Sequence, residues 1–484
     1  MPMTLEQAQK TTARLSDALL ARRPRTAKEL SYYRGDQGEL RFASPKFSEN
    51  FRKQFEGFSD NWCAPVADAS PERMVLLGIR PYGTIQADKE TNRAWEAADA
   101  AAGMQTALQV RAAARRAFAL IAPGKRPDRP RITFENPEQV YVDSDPATRE
   151  RRSALVTWAD DKKEYATLYL PDEIWKFERE TSEERWQRQG RPADLFQGWE
   201  PRAGDTHFWG SNPFGEVPVV ELRNRDLLDD EPISDIAGVM AMQDAINLIW
   251  AYLINALDAA SLPQRIVTGA EPPKIPILDQ HGQQIGARPV ELDKLLGEKV
   301  LFVPGENVGV AEWSRSQLGP FSEVINQAIE HIAAQTRTPP HYLMTKMVNT
   351  AAEALTISEA GLVSKTRQSV MHVNSAVREI YKLMAIAMDR PSAEVDALAA
   401  GRPMWADIQY RSEAQRADAL VKKRQMGYPL RWIFEQDGAS PEEIERIMEM
   451  IREERAQDAL AADHFATTTA MNPALDAPSS QLME

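Results

Sequence analysis

Residues 335–371, QTRTPPHYLMTKMVNTAAEALTISEAGLVSKTRQSVM, place the end of one helix close to the start of another. The Pro-Pro pair at 339–340 ends the first helix, because proline donates no backbone hydrogen bond and disfavours the α conformation in the residue before it. The second helix begins with Asn349 or Thr350 as its N-cap, and Glu353 is placed to return the capping hydrogen bond. Beyond this cap the helical pattern continues for about ten turns.

The connector between these helices, HYLMTKMVN at 341–349, is unusually apolar for a helix–helix join. Its apolar residues are Tyr342, Leu343, Met344, Met347 and Val348. An apolar loop between two long helices is expected either to be held against another part of the protein or to be exposed for use. On spacing alone, the alternative is a kinked helical hairpin inside an ordinary all-α core.

The bulk composition bounds the class of protein. With 484 residues the chain is long enough for about two to four subdomains, and 43% hydrophobic with 27% charged residues is typical of a soluble globular protein. Its start, MPMTLEQAQK, lacks the basic stretch and apolar core of a secretory signal. The most apolar helix, around LIWAYLI at 248–254, is too short and too interrupted by Asp and Asn to span a bilayer. Cys63 is the only cysteine, so an intrachain disulfide cannot form and a reducing cytoplasm fits.

The charge excludes one kind of nucleic-acid protein. The net charge is −13, from 58 basic and 71 acidic residues. Tight binding to nucleic acid depends largely on neutralising phosphates, so the chain is not a strong DNA clamp. A mildly repulsive surface past which DNA slides is compatible with this charge.

The N-terminal half has the pattern of helices followed by an antiparallel sheet. A helix is expected over residues 4–22, and residues 91–120 are predicted to be mainly helical. From Arg131 the pattern changes to short alternating runs typical of antiparallel strands, and DDKKE at 160–164 joins two of them as a hairpin. NPFGEVPVVELRNR at 212–225 predicts a turn and a closing strand.

Two helices with a β-rich insert between them follow. The first is expected over residues 234–261 with Ser234 as its N-cap, and the second over residues 322–335. Between them, QRIVTG, KVLFVPG and VGVAEW are candidate strands separated by glycine-containing turns. The chain therefore leaves one body, forms a small β-containing knob and returns.

The C-terminal region is predicted to be helical. Pro391 ends the preceding long helix, and MWADIQYRS reads as a strand and turn. Helices are expected over residues 412–425 and 440–460 with a short segment at 429–436 between them, and the Ser-Pro-Glu-Glu sequence that begins at Ser440 is a clear helix start. The last twenty or so residues lack apolar periodicity and are predicted to be disordered.

No motif for catalysis or cofactor binding is found. The sequence contains no G-x-x-x-x-G-K-[ST] phosphate loop, no G-x-S-x-G, no HExxH and no paired CxxC. The six histidines are scattered, and Asp143, Asp145 and Asp172 lie in turns where solvated carboxylates are expected rather than metal ligands. We therefore expect no catalytic residue, no metal and no cofactor, with an enzyme of unrecognised site as an alternative.

The runs TPPHYL, NTAAEAL and ISEAGLVSK resemble the tunnel-loop region of tailed-phage portal proteins, in particular the portal family of actinobacteriophages. In that family the loop precedes a helix start of the type N-P-S-x-E-A-L. The matching residues are Asn349, Glu353, Ala354 and Leu355, and the departures are Thr350 and Ala351. The resemblance covers nearly all of residues 33–449, with several blocks in the same order. Near the N-terminus it includes Tyr33, Gly35, Asn61, Trp62, Asp68 and Arg73.

The resemblance implies an α+β, portal-like fold with long stem and wing helices, a β-rich wing sheet, a small β-containing clip insert and a helical C-terminal region. The implied domains are an N-terminal, mixed α/β part of the wing (1–230), stem helix 1 (231–262), the clip (263–317), stem helix 2 (318–337), the tunnel loop (338–350), the long wing helix and return strand (351–411), a helical crown-like region (412–464) and a disordered tail (465–484).

The resemblance also implies a non-enzymatic function. Twelve subunits would form a ring-shaped channel at one capsid vertex, through which double-stranded DNA is packaged and ejected. The implied partners are the large terminase subunit, the major capsid and scaffold proteins and a head–tail adaptor, with no membrane. The protein would lie in the virion and, during assembly, in the host cytoplasm. A helical oligomeric adaptor or scaffold that does not conduct DNA is the alternative.

In such a ring the apolar connector would project inward as a collar around the DNA. Lys346 would repeat around the channel as a weak, salt-sensitive phosphate contact, whereas its sequence context alone favours a solvated loop lysine. Tyr342, Leu343 and Met344 would pack loop on loop or against the duplex. The expected DNA-channel residues are therefore His341, Tyr342, Leu343, Met344, Lys346 and Asn349.

Overall fold

The chain folds into two units, each assembled from separate segments of the sequence. The first unit contains Met1–Leu30, Ala67–Asp235 and Glu359–Glu484, and the second contains Ser31–Val66 and Ile236–Ser358. The computed structural model describes residues 3–37, 40–44, 46–47, 49, 58–160, 162–180, 198–204, 207–227, 231–261, 265–269, 274–278, 282–289, 300–303, 307–312, 317–343, 352–409 and 413–471.

The described helices run from short turns to rods of more than thirty residues. They are α1 (Leu5–Arg34), α2 (Cys63–Asp68), α3 (Lys89–Ala97), α4 (Ala100–Ala114), α5 (Met240–Ser261), α6 (Gly319–Thr336), α7 (Pro340–Leu343), α8 (Ala352–Ala387), α9 (Ser392–Ala399), α10 (Glu413–Gln425), α11 (Leu430–Gln436) and α12 (Pro441–Met471). A short 3₁₀ turn occupies Pro71–Arg73.

The described strands belong to separate small sheets and one larger one. They are β1 (Leu76–Arg80), β2 (Arg116–Arg126), β3 (Arg129–Glu135), β4 (Val140–Ser144), β5 (Arg151–Ala159), β6 (Lys163–Tyr169), β7 (Glu173–Glu180), β8 (Glu200–Pro201), β9 (Trp209–Ser211), β10 (Val219–Arg223), β11 (Arg265–Thr268), β12 (Lys274–Leu278), β13 (Gln284–Pro289), β14 (Val300–Val303), β15 (Gly309–Glu312) and β16 (Arg402–Trp405). The expected α+β class is confirmed.

The larger sheet of the first unit is antiparallel, with strand order β4-β5-β6-β7-β8 and β9 also paired to β7. One face carries Leu155 and Leu168, which pack with apolar residues of α1. The other face carries Val156, which packs with Phe118 of β2 and Val219 of β10, two strands of the sheet β10-β2-β3. Successive residues of a strand point to opposite faces, so both faces are covered by apolar side chains.

The long helix α8 is the centre of another core of the first unit. Val377, Ile380 and Tyr381 belong to one buried cluster with residues of α3, α4, β2 and β10. The Tyr381 ring stacks on Trp95 with a centroid distance of 5.5 Å and an interplanar angle of 16°. Burial raises the pKa of the Tyr381 phenol, and the nearby Asp88 charge adds to this effect. This packing stabilises the C-terminal part of α8, which spans 36 residues in all.

A group of buried charges surrounds Asp235, the last residue of the segment Ala67–Asp235 of the first unit. Nζ of Lys365 on α8 lies 2.9 Å from Oδ2 of Asp235, and Nε of Arg225 lies 3.3 Å from Oδ1. Nδ2 of Asn224 donates to the same Oδ1 at 3.0 Å. Burial alone would raise the pKa of the Asp235 carboxyl, but Lys365 and Arg225 together hold it below its usual value of 3.8. Asp235 is therefore a charged carboxylate fixed by several partners.

The second unit is organised around α5 and α6, which pack against each other. On α6 the buried residues are Ile325, Ala328, Ile329, Ile332, Ala333 and Thr336, at the spacing of one helix face. Between the two helices, β11 pairs with β14 in parallel and with β15 in antiparallel fashion, while β12 and β13 form a separate antiparallel ribbon. The expected helix, β insert and helix are confirmed, and β12 and β13 are strands that the sequence pattern did not reveal.

Two N-terminal boundaries differ from the sequence predictions. The helix expected over residues 4–22 continues through Pro24 to Arg34. Its second half buries Thr26, Glu29 and Leu30, and this packing outweighs the loss of one backbone donor at the proline. The predicted helix over 91–120 ends at Ala114, and the following apolar run RAFALIA forms the start of β2 between β3 and β10.

Two other predicted features are also corrected. Ser234 is not a helix cap, because its hydroxyl donates to the carbonyl of Ala113 at 2.6 Å and α5 begins only at Met240. The tail expected to be disordered from residue 465 is helical up to Met471, and residues 472–484 lie outside the described part of the chain. The predicted breaks near Asp389 and Ser440 are confirmed.

Replacing Ser440 with alanine is expected to destabilise the start of α12 by about 1 kcal/mol. Oγ of Ser440 accepts from the N–H of Glu443 at 3.2 Å, and the Glu443 carboxylate accepts from the N–H of Ser440 at 2.9 Å, which is a complete capping box. Amide hydrogen exchange over residues 440–447 should become faster in Ser440→Ala and stay close to wild type in Ser440→Thr. Equal protection in all three proteins would contradict the role of the cap.

Candidate functional site

The segment that leads into the connector begins where α6 stops. Arg337 adopts a left-handed conformation with φ 56°, and the N–H of Thr338 donates to the carbonyl of Ala333 at 3.0 Å. The Thr336 hydroxyl donates to the carbonyl of Ile332 at 2.7 Å and lies 2.9 Å from the Thr338 hydroxyl. These bonds satisfy carbonyls at the helix end, so the stop is fixed by local geometry as well as by the prolines.

The first residues of the connector form a helical turn rather than the expected loop. α7 spans Pro340–Leu343, and the N–H of Tyr342 donates to the carbonyl of Pro339 at 3.0 Å. Proline is favourable at the first position of a helix, because its missing N–H would have no partner there and its φ is already helical. The Pro-Pro pair therefore ends one helix and starts a short one.

The structure places three of the six predicted channel residues. Leu343 is only 4% exposed, so its side chain is buried and does not project into solvent. His341 and Tyr342 are half-buried neighbours whose rings lie 5.2 Å apart. Met344, Lys346 and Asn349 lie outside the described residues, as do the predicted caps at 349 and 350. The apolar connector is thus anchored at its N-terminal end.

Replacing Arg337 with glycine is expected to stabilise the end of α6 by about 0.5–1 kcal/mol, because only glycine adopts a left-handed conformation without a steric cost from Cβ. Thermal unfolding of Arg337→Gly should shift upward, whereas Arg337→Ala, which keeps Cβ, should not be stabilised. An equal shift in both variants would show that loss of the charge, not backbone strain, is responsible.

A buried polar group on α5 holds the chain around residues 60–62. Oε1 of Gln243 accepts from the N–H of Trp62 at 2.7 Å, and its amide nitrogen donates to the carbonyl of Asp60. Oδ1 of Asn247 accepts from the N–H of Asp60 at 3.2 Å, and the Asp60 carboxylate accepts from the indole N–H of Trp250 at 2.7 Å. The polar residues within this apolar helix are therefore structural partners.

A neighbouring position on the same helix faces the end of α1. Oδ1 of Asp244 accepts from the Tyr32 hydroxyl at 2.6 Å, and Arg41 lies 3.7 Å from Oδ2. Burial and the Asp244 charge raise the pKa of Tyr32, and the same two causes raise the pKa of the buried Cys63 thiol to about 12. Both groups stay protonated at neutral pH, so neither is an activated nucleophile.

These polar contacts were missed by sequence reasoning, which treated Asp244 and Asn247 only as interruptions of an apolar helix. The signal was present in the spacing, since polar residues at 243, 244 and 247 share one helix face and a buried polar face requires partners. The identity of those partners is not a local property of the sequence.

Of the three carboxylates weighed as metal ligands, Asp145 and Asp172 lie outside the strands as expected, whereas Asp143 lies within β4 and not in a turn. Asp145 accepts from the N–H groups of Ala147 and Thr148, which together with Arg152 lower the pKa of its carboxyl, and Asp143 pairs with Arg14. Within the described ranges, no three His, Cys, Asp or Glu residues are grouped closely enough to hold a metal ion. None of the described helices has the length and apolar character needed to cross a membrane.

Comparison with known proteins identifies the family. Residues 13–457 match the family model described as phage portal protein, SPP1 Gp6-like. The portal protein of Mycobacterium phage D29 is 27% identical over 370 residues, covering 73% of this chain and 70% of the relative. The portal protein of Mycobacterium phage L5 is 26% identical over 371 residues with the same coverage.

Two solved structures are also similar. A chain from the neck of an empty gene transfer agent particle, computed with C6 symmetry, has a TM-score of 0.41 at 12% identity, covering 80% of this chain and 92% of that chain. A chain from the neck of a native particle, computed with C12 symmetry, has a TM-score of 0.35 at 12% identity, covering 78% and 89%.

The match places this chain among the structural proteins of phage particles and not among the enzymes. More specifically, the chain belongs to the phage portal protein family of the SPP1 Gp6-like type. The resemblance seen in the sequence is confirmed, and the alternative of an enzyme with an unrecognised site is set aside by the family. The chain is accordingly a component of the portal vertex of a virion and serves DNA packaging.

Proposed function

We propose that copies of this chain close into a ring with a central channel at one capsid vertex, through which double-stranded DNA enters and leaves. The observation that carries this proposal is the paired helices α5 and α6, which flank a β insert and lead directly into the apolar connector. A ring requires that one patch of each copy meets a different patch of the next and that the rotation closes. The number of copies is twelve, as the resemblance to phage portals implies.

The expected domains give each part of the chain a role in that ring. The helices near 231–262 and 318–337 are the stem, the insert at 263–317 is the clip, and the connector at 338–350 is the tunnel loop. The remaining domains are the N-terminal part of the wing (1–230), the long wing helix and return strand (351–411), a crown-like region (412–464) and a tail (465–484).

The connector forms the collar that meets the DNA. Lys346 supplies a repeated, weak phosphate contact, and His341, Tyr342, Met344 and Asn349 line the collar with it. Because Leu343 is buried, it anchors the collar and does not touch DNA. With a net charge of −13, most of the wall repels DNA mildly, so the duplex slides without sticking.

The proposed ring works together with partner proteins. The large terminase subunit provides the force of packaging and docks on the clip, and a head–tail adaptor later takes the same position. The major capsid and scaffold proteins surround the wing. The ring forms in the host cytoplasm during assembly and then becomes part of the capsid.

Imaging of the purified chain tests the ring. Negative-stain electron microscopy of the fraction eluting as an oligomer should show rings with a hole wide enough for duplex DNA. Solid assemblies would support a non-conducting adaptor, and a monomer at micromolar concentration would contradict the proposal. The hole, rather than the number of copies, is the decisive feature, since isolated rings can form with a different number.

A charge reversal tests the collar. Lys346→Glu should assemble normally but package or retain less DNA, because each copy replaces an attractive phosphate contact by a repulsive one. DNA content of particles made with Lys346→Glu is compared with that of particles made with Lys346→Arg, which keeps the charge. DNA uptake and retention unchanged in the glutamate variant would show that Lys346 is only a solvated loop residue.

A further inference from the structure

The turn between α10 and α11 carries an exposed cluster of cations and aromatic rings. Residues 421–432, VKKRQMGYPLRW, contain four cations and no acidic residue in a chain whose net charge is −13. We refer to these residues as the basic-aromatic turn. Its charge is opposite to that of the protein as a whole, which makes it a candidate for contact with a polyanion.

The backbone of the basic-aromatic turn is held in one conformation. The N–H of Tyr428 donates to the carbonyl of Lys423 at 3.2 Å, and Nη1 of Arg424 donates to the carbonyl of Tyr428 at 3.0 Å. Gly427 allows the reversal with a φ of 93°. Every residue from 424 to 429 is exposed, and Met426 is 75% exposed. The side chains are thus presented on a fixed, projecting turn.

Aromatic rings lie beside the cations. The Tyr428 and Trp432 rings are 4.6 Å apart with an interplanar angle of 31°, and Nζ of Lys423 lies 4.9 Å from the Trp432 ring centroid. The helix dipole accounts for cations in the last turn of α10, but it does not account for the exposed Tyr428 ring packed on the half-buried Trp432 or for the exposed Met426 next to them.

The cations of the turn differ in whether a carboxylate already pairs with them. Arg431 pairs with Glu445, and Lys422 forms only a solvent-exposed i,i+4 pair, which contributes little in water. Lys423 and Arg424 have no carboxylate partner in the part of the chain that the structure describes. At least two cations per copy therefore carry a charge that no described carboxylate neutralises, although Arg424 also donates to the Tyr428 carbonyl and Lys423 lies over the Trp432 ring.

We propose that the basic-aromatic turn binds the phosphate backbone of duplex DNA. Lys422, Lys423 and Arg424 contact phosphates, while Tyr428 packs against the sugar edge, since phosphate and sugar contacts position a protein without reading sequence. The inference rests on the proposed function in one respect, because that function brings duplex DNA to the chain. Two or three contacts per copy give weak binding for one chain and stronger binding when copies are joined in one assembly.

The test is a DNA-binding measurement on the full chain. Fluorescence anisotropy of a labelled duplex of about 40 base pairs is followed between about 50 and 200 mM salt. Lys422→Glu/Lys423→Glu/Arg424→Glu should weaken binding at least about tenfold and lower the salt slope, because each lost phosphate contact removes about 0.9 from that slope. Lys422→Arg/Lys423→Arg should bind like wild type. Unchanged affinity in the triple glutamate variant would overturn the proposal.

The matched control reverses three exposed cations elsewhere in the first unit, at the β2–β3 turn. Lys125→Glu/Arg126→Glu/Arg129→Glu changes the net charge equally but removes no aromatic neighbour. Equal weakening by both triple variants would show that bulk charge, not the turn, attracts DNA, and would overturn the proposal. The control should change affinity by less than about threefold.

Electron microscopy of the same samples distinguishes failure of the proposed DNA-binding turn from failure of the proposed ring. If the triple variant at 422–424 loses assembly while its DNA affinity is unchanged, the turn binds a neighbouring copy and the proposal is wrong. If wild type shows no ring with a hole but its DNA binding depends on the turn, the DNA-binding site is supported and the proposed channel is contradicted. If the glutamate variant does not fold, Lys423→Gln/Arg424→Gln gives the same comparison with a smaller change of charge. This double variant should weaken DNA binding about threefold or more.

Discussion

Lys365→Met is expected to destabilise the first unit by about 3–5 kcal/mol, which is the cost of leaving a buried charge without its partner. Methionine preserves much of the packing of the lysine stem but removes the ammonium that lies 2.9 Å from the Asp235 carboxylate. The side chains of Lys365 and Asp235 are 6% and 5% exposed, so water does not replace the lost partner. Hydrogen exchange of the α8 amides measures the loss of stability directly.

A lysine on the same helix provides the control. Lys382 pairs with Glu216 at 2.7 Å, but both side chains are about a quarter exposed. Because solvent screens such a pair, Lys382→Met should cost no more than about 1 kcal/mol. Equal losses from Lys365→Met and Lys382→Met would contradict the assignment of Asp235 and Lys365 as a desolvated pair.

A double substitution separates the pair from the packing around it. Asp235→Asn combined with Lys365→Met removes both charges of the pair and should recover much of the stability lost in Lys365→Met alone, since the uncompensated carboxylate is gone and Arg225, the other cation beside it, is 35% exposed. Additive losses in the double variant would show that the two side chains act independently.

The same carboxylate predicts a dependence on pH. The pKa of Asp235 is lower in the folded chain than its ordinary value of 3.8, so the pair stabilises the fold fully above that value. The stabilisation is lost as the pH falls through the lower, folded pKa. In Lys365→Met the main cause of the lowered pKa is removed, and protonation of Asp235 relieves the cost of its unpaired buried charge, so the difference in stability between wild type and Lys365→Met should become smaller as the pH falls below about 4. Urea unfolding midpoints at a series of pH values provide the measurement, and identical profiles would contradict this account.

Features set by neighbouring residues were predictable from the sequence. The helix start at Ser440, the stop at Pro339 and the hairpin turn at Asp160 depend on hydrogen bonds and backbone restrictions within a few residues. The alternating runs after Arg131 identified strands for the same reason, because the period of two reflects the two faces of one sheet.

Features set by distant residues were not predictable. The run RAFALIA is compatible with a helix or a strand, and its pairing with β10, about a hundred residues later, decides the outcome. Ser234 has the side chain of a helix cap but donates to Ala113, which the local pattern does not reveal. The predicted channel residues came from family resemblance alone, and the burial of Leu343 depends on tertiary packing.

Gln243→Ala is expected to destabilise the second unit by about 2–4 kcal/mol, because two buried backbone groups lose their partner at once. Gln243 is fully buried; its Oε1 accepts from the Trp62 N–H and its amide donates to the Asp60 carbonyl. The expected result is faster hydrogen exchange over residues 60–63 and on α5, together with a shift in the fluorescence of Trp250, whose indole N–H donates to the Asp60 carboxylate.

Asn255 on the same helix is the matched control for this loss. Its amide nitrogen donates to the carbonyl of Ala251 one turn earlier, a helical carbonyl that also accepts a backbone bond, so Asn255→Ala should cost less than about 1 kcal/mol. Gln243→Glu is more discriminating: it keeps the acceptor for Trp62 but turns the donor toward Asp60 into a second acceptor, and it should be at least as damaging as alanine at neutral pH. If Gln243→Glu were as stable as wild type, the amide would not be the group that fixes residues 60–62 to α5. If Gln243→Ala lost ring assembly while Asn255→Ala kept it, the hydrogen bonds between α5 and residues 60–62 would be needed for the proposed ring as well as for the stability of the second unit.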